Sequence, residues 1–149
     1  MTDSTLAATP RTPANIAELA QTIPGFIRGA RWFWWIAGFS AINVAMILSH
    51  SSVNFVIGLA FTLLAHANLE PTLALAVDAL LVGGFFFVGL KAQQGQVWAF
   101  AVGVAVYLCD ALVYVKYADW MPVAIHAVAL YYIGTAFLSL QAAKKSAGL

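Results

Sequence analysis

The chain has 149 residues, 62% of them hydrophobic and 9% charged, with a formal net charge of +1 and one cysteine. Soluble domains carry about 45–50% apolar and about 25% charged residues, so this composition excludes an ordinary water-soluble domain, a basic nucleic-acid surface and a disulfide scaffold. No nucleic-acid partner is expected, and the environment the composition calls for is a lipid bilayer.

Residues 1–14 are rich in Thr, Ala and Pro without apolar periodicity and read as a mobile tail. They do not read as a signal peptide, because the apolar run starts only at Trp32. Residues 15–30 predict a short interfacial helix, broken at Pro24-Gly25, that brings Arg28 and Arg31 to the membrane edge. The tail and interfacial segment therefore cover 1–31, and the bundle proper covers 32–149.

Four segments are long enough to span, 32–49, 72–90, 97–115 and 121–140. A fifth apolar stretch, 53–67, reaches only about 22 Å as a helix and suits a re-entrant or interfacial element. The expected fold is all-α: an integral membrane four-helix bundle with an additional short re-entrant or interfacial helix. Four crossings place Arg28, Arg31, Lys91, Lys144 and Lys145 on one side and Glu70, Lys116 and Asp119 on the other. The positive-inside rule then predicts both termini in the cytoplasm. Trp32, Trp34, Trp35, Trp98 and Trp120 fall near expected helix ends, as an aromatic belt requires.

Counting from the outer end of each span places Asn43, Asp78, Asp110 and His126 roughly 7–9 Å deep, in one polar layer. Helical periodicity puts Ala99, Gly103, Tyr107, Tyr114 and Tyr117 on the Asp110 face, Ala74, Phe85 and Gly89 on the Asp78 face, and Ser40 and His50 with Asn43. On the short helix Thr62, His66 and Glu70 follow at intervals of four and add polar groups to the same region. Gly83-Gly84 with Gly89, and Ala99 with Gly103, provide small residues for close helix packing.

An intramembrane carboxylate is expected to face the bundle interior, with a partner or a raised pKa. One reading of the layer is a hydrogen-bonded network that fixes helix register. A second is a pocket in which Asp78 and Asp110 bind a cation or relay protons with His126 and His66, with Asn43, Tyr107, Tyr114 and Glu70 around them. A third is a transition-metal site drawn from Asp78, Asp110, His126 and His66. Haem or quinone binding through His66 or His50 with His126 is a fourth. No compact metalloprotease, serine-hydrolase or covalent-haem motif is present, so neither an enzyme activity nor a particular cofactor is indicated.

The strings RWFWWIAGFSAIN, VNFVIGLAFTLLAHA and GQVWAFAVGVAVYLCDALVYV, within roughly residues 28–140, resemble a group of small bacterial multi-span inner-membrane proteins of unknown function. The resemblance implies a bacterial inner-membrane location and carries no activity or site residue. The functional expectation is an accessory, scaffold or assembly component, acting as a homo-oligomer or in a larger membrane complex. The alternative is a proton- or cation-handling bundle using Asp78, Asp110 and His126.

Overall fold

A helix satisfies its backbone hydrogen bonds internally, which makes it the economical way for a charge-free apolar run to enter lipid. The computed structural model describes residues 16–50 and 58–148, and among these it contains six helices and no strand. They are α1 (Ile16–Thr22), α2 (Phe26–Leu48), α3 (Ala60–Asn68), α4 (Pro71–Gln93), α5 (Val97–Lys116) and α6 (Trp120–Ala147). Helices α2, α4, α5 and α6 have 20–28 residues each and are long and apolar enough to cross a membrane. The chain is a multi-pass membrane protein.

The four long helices form a ring in the order α2, α4, α5, α6, with α6 closing back on α2. Phe33 of α2 reaches the middle of the ring, with its ring centroid 6.3 Å from Phe85 of α4 and 5.8 Å from Phe100 of α5. Gly103 makes this approach possible, because a methyl group there would overlap the Phe33 ring. Gly89 similarly admits Trp34. Gly83 and Gly84 face open space, so of the expected small residues Gly89, Ala99 and Gly103 lie in the packed interior and Gly83 and Gly84 do not. Large apolar side chains such as Leu80, Leu112, Tyr131 and Leu138 point outward on the lipid-facing surface, and Cys109 is exposed with them.

The connection from α4 to α5 is a tight turn in which Gly95 takes φ 75°, with Ile16 and Ala20 of α1 packed against it. This left-handed conformation favours glycine. It lets α1 lie across the end of the bundle that also holds Arg28, Arg31, Lys91, Lys144 and Lys145. The N-terminus of α2 and the C-terminus of α6 lie together at this end, as Gly29 packed on Tyr132 and Ala136 shows.

Element boundaries differ from the sequence expectation, and α4 runs on from residue 90 to Gln93. The first span starts at Phe26 instead of residue 32, because the break at Ile23–Gly25 is short and the helix resumes at once. The last helix continues past residue 140 to Ala147, where Lys144 and Lys145 complement the negative end of its dipole. Of the expected short helix 53–67, residues 53–57 lie outside the described residues and Gly58 and Leu59 are not helical; the helix runs from Ala60 to Asn68.

Candidate functional site

Helix α3 begins inside the bundle. Its first residue has no local side-chain cap, since Leu59 occupies the N-cap position. Four backbone N–H groups at a helix start need outside partners, and three of them find side chains on other helices. Leu59 N donates to Ser40 Oγ at 3.0 Å, and Ala60 N and Phe61 N donate to the two carboxylate oxygens of Asp110, each at 2.9 Å. Ser40 lies nine residues before Ser49, about 13 Å along α2, so α3 starts at depth and runs outward to Asn68 at the rim. At nine residues it extends only about 13 Å, too short to cross.

Asp110 is fully buried and acts as a cap supplied by another helix, placing negative charge at the positive end of the α3 dipole. Its Oδ2 also faces His126 Nε2 at 3.0 Å. The other ring nitrogen, Nδ1, lies 2.8 Å from the Pro122 carbonyl, which can only accept, so Nδ1 carries a proton. One further proton then lies between Nε2 and Oδ2, and the Asp110–His126 pair is electrically neutral as a unit. That neutrality is what permits both side chains to have zero exposure. Tyr107 stacks on the imidazole at 4.2 Å and 16°, Tyr114 flanks it at 5.2 Å, and Tyr114 Oη donates to the Gly58 carbonyl at 3.3 Å. Asn43 is buried against Gly58, where a methyl group would overlap its amide.

A second carboxylate–imidazole pair joins the outer part of α3 to α4. His66 Nε2 and Asp78 Oδ2 are 2.6 Å apart. Here the side chain of His66 stays 16% exposed, while that of Asp78 is 4% exposed. Asp78 Oδ1 is buried and has no hydrogen-bond partner among the described residues. Beside it lies a groove of about 260 Å³ between α2 and α4, lined by Ala41, Val44, Leu75, Ala79 and Val82. Tyr107 Oη is the other buried side-chain oxygen without a partner among the described residues.

The expected layer is thus divided in two. Asp110, His126, Tyr107, Tyr114 and Asn43 surround the start of α3, whereas Asp78 and His66 meet about 9 Å further along it. Glu70 is not part of either group: α3 ends at Asn68, and Glu70 is exposed at the N-cap of α4. Tyr117 lies past the end of α5 and is exposed, although the buried face expected on that helix is otherwise present as Ala99, Gly103, Tyr107, Asp110 and Tyr114. His50 is exposed beyond the end of α2, and both ring nitrogens of His126 are taken by protein partners, so the sequence-proposed haem pairs do not assemble. Among the described residues no three His, Cys, Asp or Glu side chains converge on a metal position, and the four metal candidates separate into the two pairs.

Periodicity alone missed the role of Ser40 as acceptor for Leu59, and the parts played by Gly58 and the Pro122 carbonyl. The signal for the first was the lack of any Ser, Thr, Asp or Asn immediately before the helix at Ala60, which obliges a cap from elsewhere. Comparisons with protein-family models, with curated proteins and with solved structures find no match.

Proposed function

We propose that this protein is a small bacterial inner-membrane protein, with cytoplasmic termini, that handles a proton or a small cation at the Asp78–His66 pair. The observation that carries the reading is Asp78 Oδ1, a buried carboxylate oxygen with no hydrogen-bond partner among the described residues. A buried acceptor left open costs free energy and calls for a use. His66 can gain or lose a proton at Nδ1 while Nε2 keeps its bond to Asp78, so the pair can pass between a neutral and a negative state without rearrangement. In the negative state Oδ1 accepts a proton, a metal cation or an ammonium group.

Histidine ring signals followed by NMR across about pH 5 to 8, with and without sodium, potassium and methylammonium, test this. The expected result is movement of the His66 signals with pH or cation, a changed response in Asp78→Asn, and silent His126 signals. His66 signals that ignore pH and every cation would remove the reading.

The second reading is an accessory or assembly component, working as a homo-oligomer or within a larger membrane complex. It is favoured by the Asp110–His126 pair, whose hydrogen-bonding positions serve to hold α3 in the bundle. It predicts that variants at both pairs change assembly and leave no ligand response to lose.

A further inference from the structure

At the opposite end of the bundle, α2 presents Arg28, Trp32, Trp35 and Phe39 at intervals of four, three and four, with Arg31 beside them. These residues and Tyr132 of α6 line a groove of about 560 Å³. A second groove of about 620 Å³, on the α4 side, shares Arg31 and Trp35 and continues through Trp34 and Gly38 to Gln93. Trp32 stacks on Tyr132 at 5.8 Å and 12°, which stiffens the wall of the first groove. Both arginines are exposed, and among the described residues neither forms an ion pair with a carboxylate. Lys91, Lys144 and Lys145 lie at the same end, where Glu18 is the one acid among the described residues.

We infer that this face binds the phosphate of an anionic phospholipid, with Arg28 and Arg31 on the headgroup and the aromatic stripe along an acyl chain. Guanidinium groups match phosphate oxygens in paired hydrogen bonds, and basic pockets between membrane helices at a positively charged end suit such headgroups. From Arg28 to Phe39 the stripe covers about 16 Å, close to half of a hydrocarbon core of about 30 Å. A headgroup at the arginines therefore leaves its chain alongside Trp35 and Phe39, within one leaflet. The two grooves on either side of the Arg31–Trp35 ridge give room for the two chains of one lipid. This site shares no residue with the Asp78–His66 pair.

The test is native mass spectrometry of the full-length protein in mild detergent, titrated with phosphatidylglycerol, phosphatidylcholine or inorganic phosphate. Phosphatidylglycerol is expected to bind at least tenfold more tightly than phosphatidylcholine and to resist displacement by inorganic phosphate. Removing both arginines in Arg28→Gln/Arg31→Gln is expected to weaken it about thirtyfold, from a contribution of about fivefold per basic residue. The control Lys144→Gln/Lys145→Gln removes the same charge from the same end and is expected to weaken binding less than about threefold. Circular dichroism verifies that both variants are helical. Equal binding of the two lipids, displacement by inorganic phosphate, or an equal loss in the lysine variant would each overturn the assignment.

Discussion

Two carboxylate–imidazole pairs hold α3 against the bundle, and they differ in how completely the protein uses them. At Asp110–His126 both carboxylate oxygens receive backbone N–H groups, both imidazole nitrogens are engaged, and neither side chain is exposed. At Asp78–His66 one carboxylate oxygen has no partner among the described residues and the imidazole is partly exposed. Inside a low-dielectric bundle, a satisfied polar network fixes one geometry, whereas an open acceptor keeps its affinity for a donor or a positive charge. Composition does not separate the pairs, since each is one Asp and one His. What separates them is position on α3: the first sits at its buried start, where orphan N–H groups need a cap, and the second sits a turn and a half further out, where the helix satisfies its own backbone.

The comparison breaks most readily at Asp110. Asp110→Ala strips two N–H groups of their acceptor and leaves His126 Nε2 unpaired, and it is expected to destabilise the bundle by about 3–5 kcal/mol. Thermal unfolding in detergent measures this, and a loss below about 1 kcal/mol would refute the cap. Gly58→Ala, which forces a methyl group into the Asn43 amide, is expected to cost about 1–3 kcal/mol by the same assay. Asp78→Asn keeps an acceptor for His66 and a side chain of the same shape, so a cost of about 1 kcal/mol or less is expected, together with a changed pH or cation response. A destabilisation matching that of Asp110→Ala would erase the distinction between the pairs.

Tyr114→Phe removes one long hydrogen bond to the Gly58 carbonyl, with an expected cost of about 0.5–1 kcal/mol. Glu70→Gln lies outside both pairs and is expected to change neither the unfolding temperature nor the His66 signals. An effect on those signals would bring Glu70 back into the candidate site.

Much of the fold is legible in the residues. The long apolar runs around Ile36, Leu81, Val104 and Leu130 locate the four crossings, because lipid favours apolar side chains and a helix leaves no backbone group unpaired. The buried faces of α4 and α5 also follow from spacing: Ala74, Asp78 and Phe85 on one, Gly103, Tyr107 and Asp110 on the other. Spacing located the polar residues in depth but left their partners undetermined. Depth is a property of one helix, counted along its own axis, whereas pairing depends on how neighbouring helices are rotated about theirs. Glu70 shows the limit from the other side, since an i, i+8 relation to Thr62 means nothing once α3 ends at Asn68.

The sequence by itself determined that this chain has four helices long and apolar enough to cross a membrane and which faces of α4 and α5 turn inward, since hydrophobic length and period act locally along the chain. Only the tertiary structure decided that α3 starts at depth beside Ser40, that Asp110 caps it while neutralised by His126, and that one oxygen of Asp78 has no partner among the described residues. Those outcomes depend on side chains of α2, α4 and α5 meeting the start of α3 and His66, and of α6 meeting Asp110, within hydrogen-bond distance, and hydrogen bonds are short-ranged and directional enough that no pattern along a single helix specifies them.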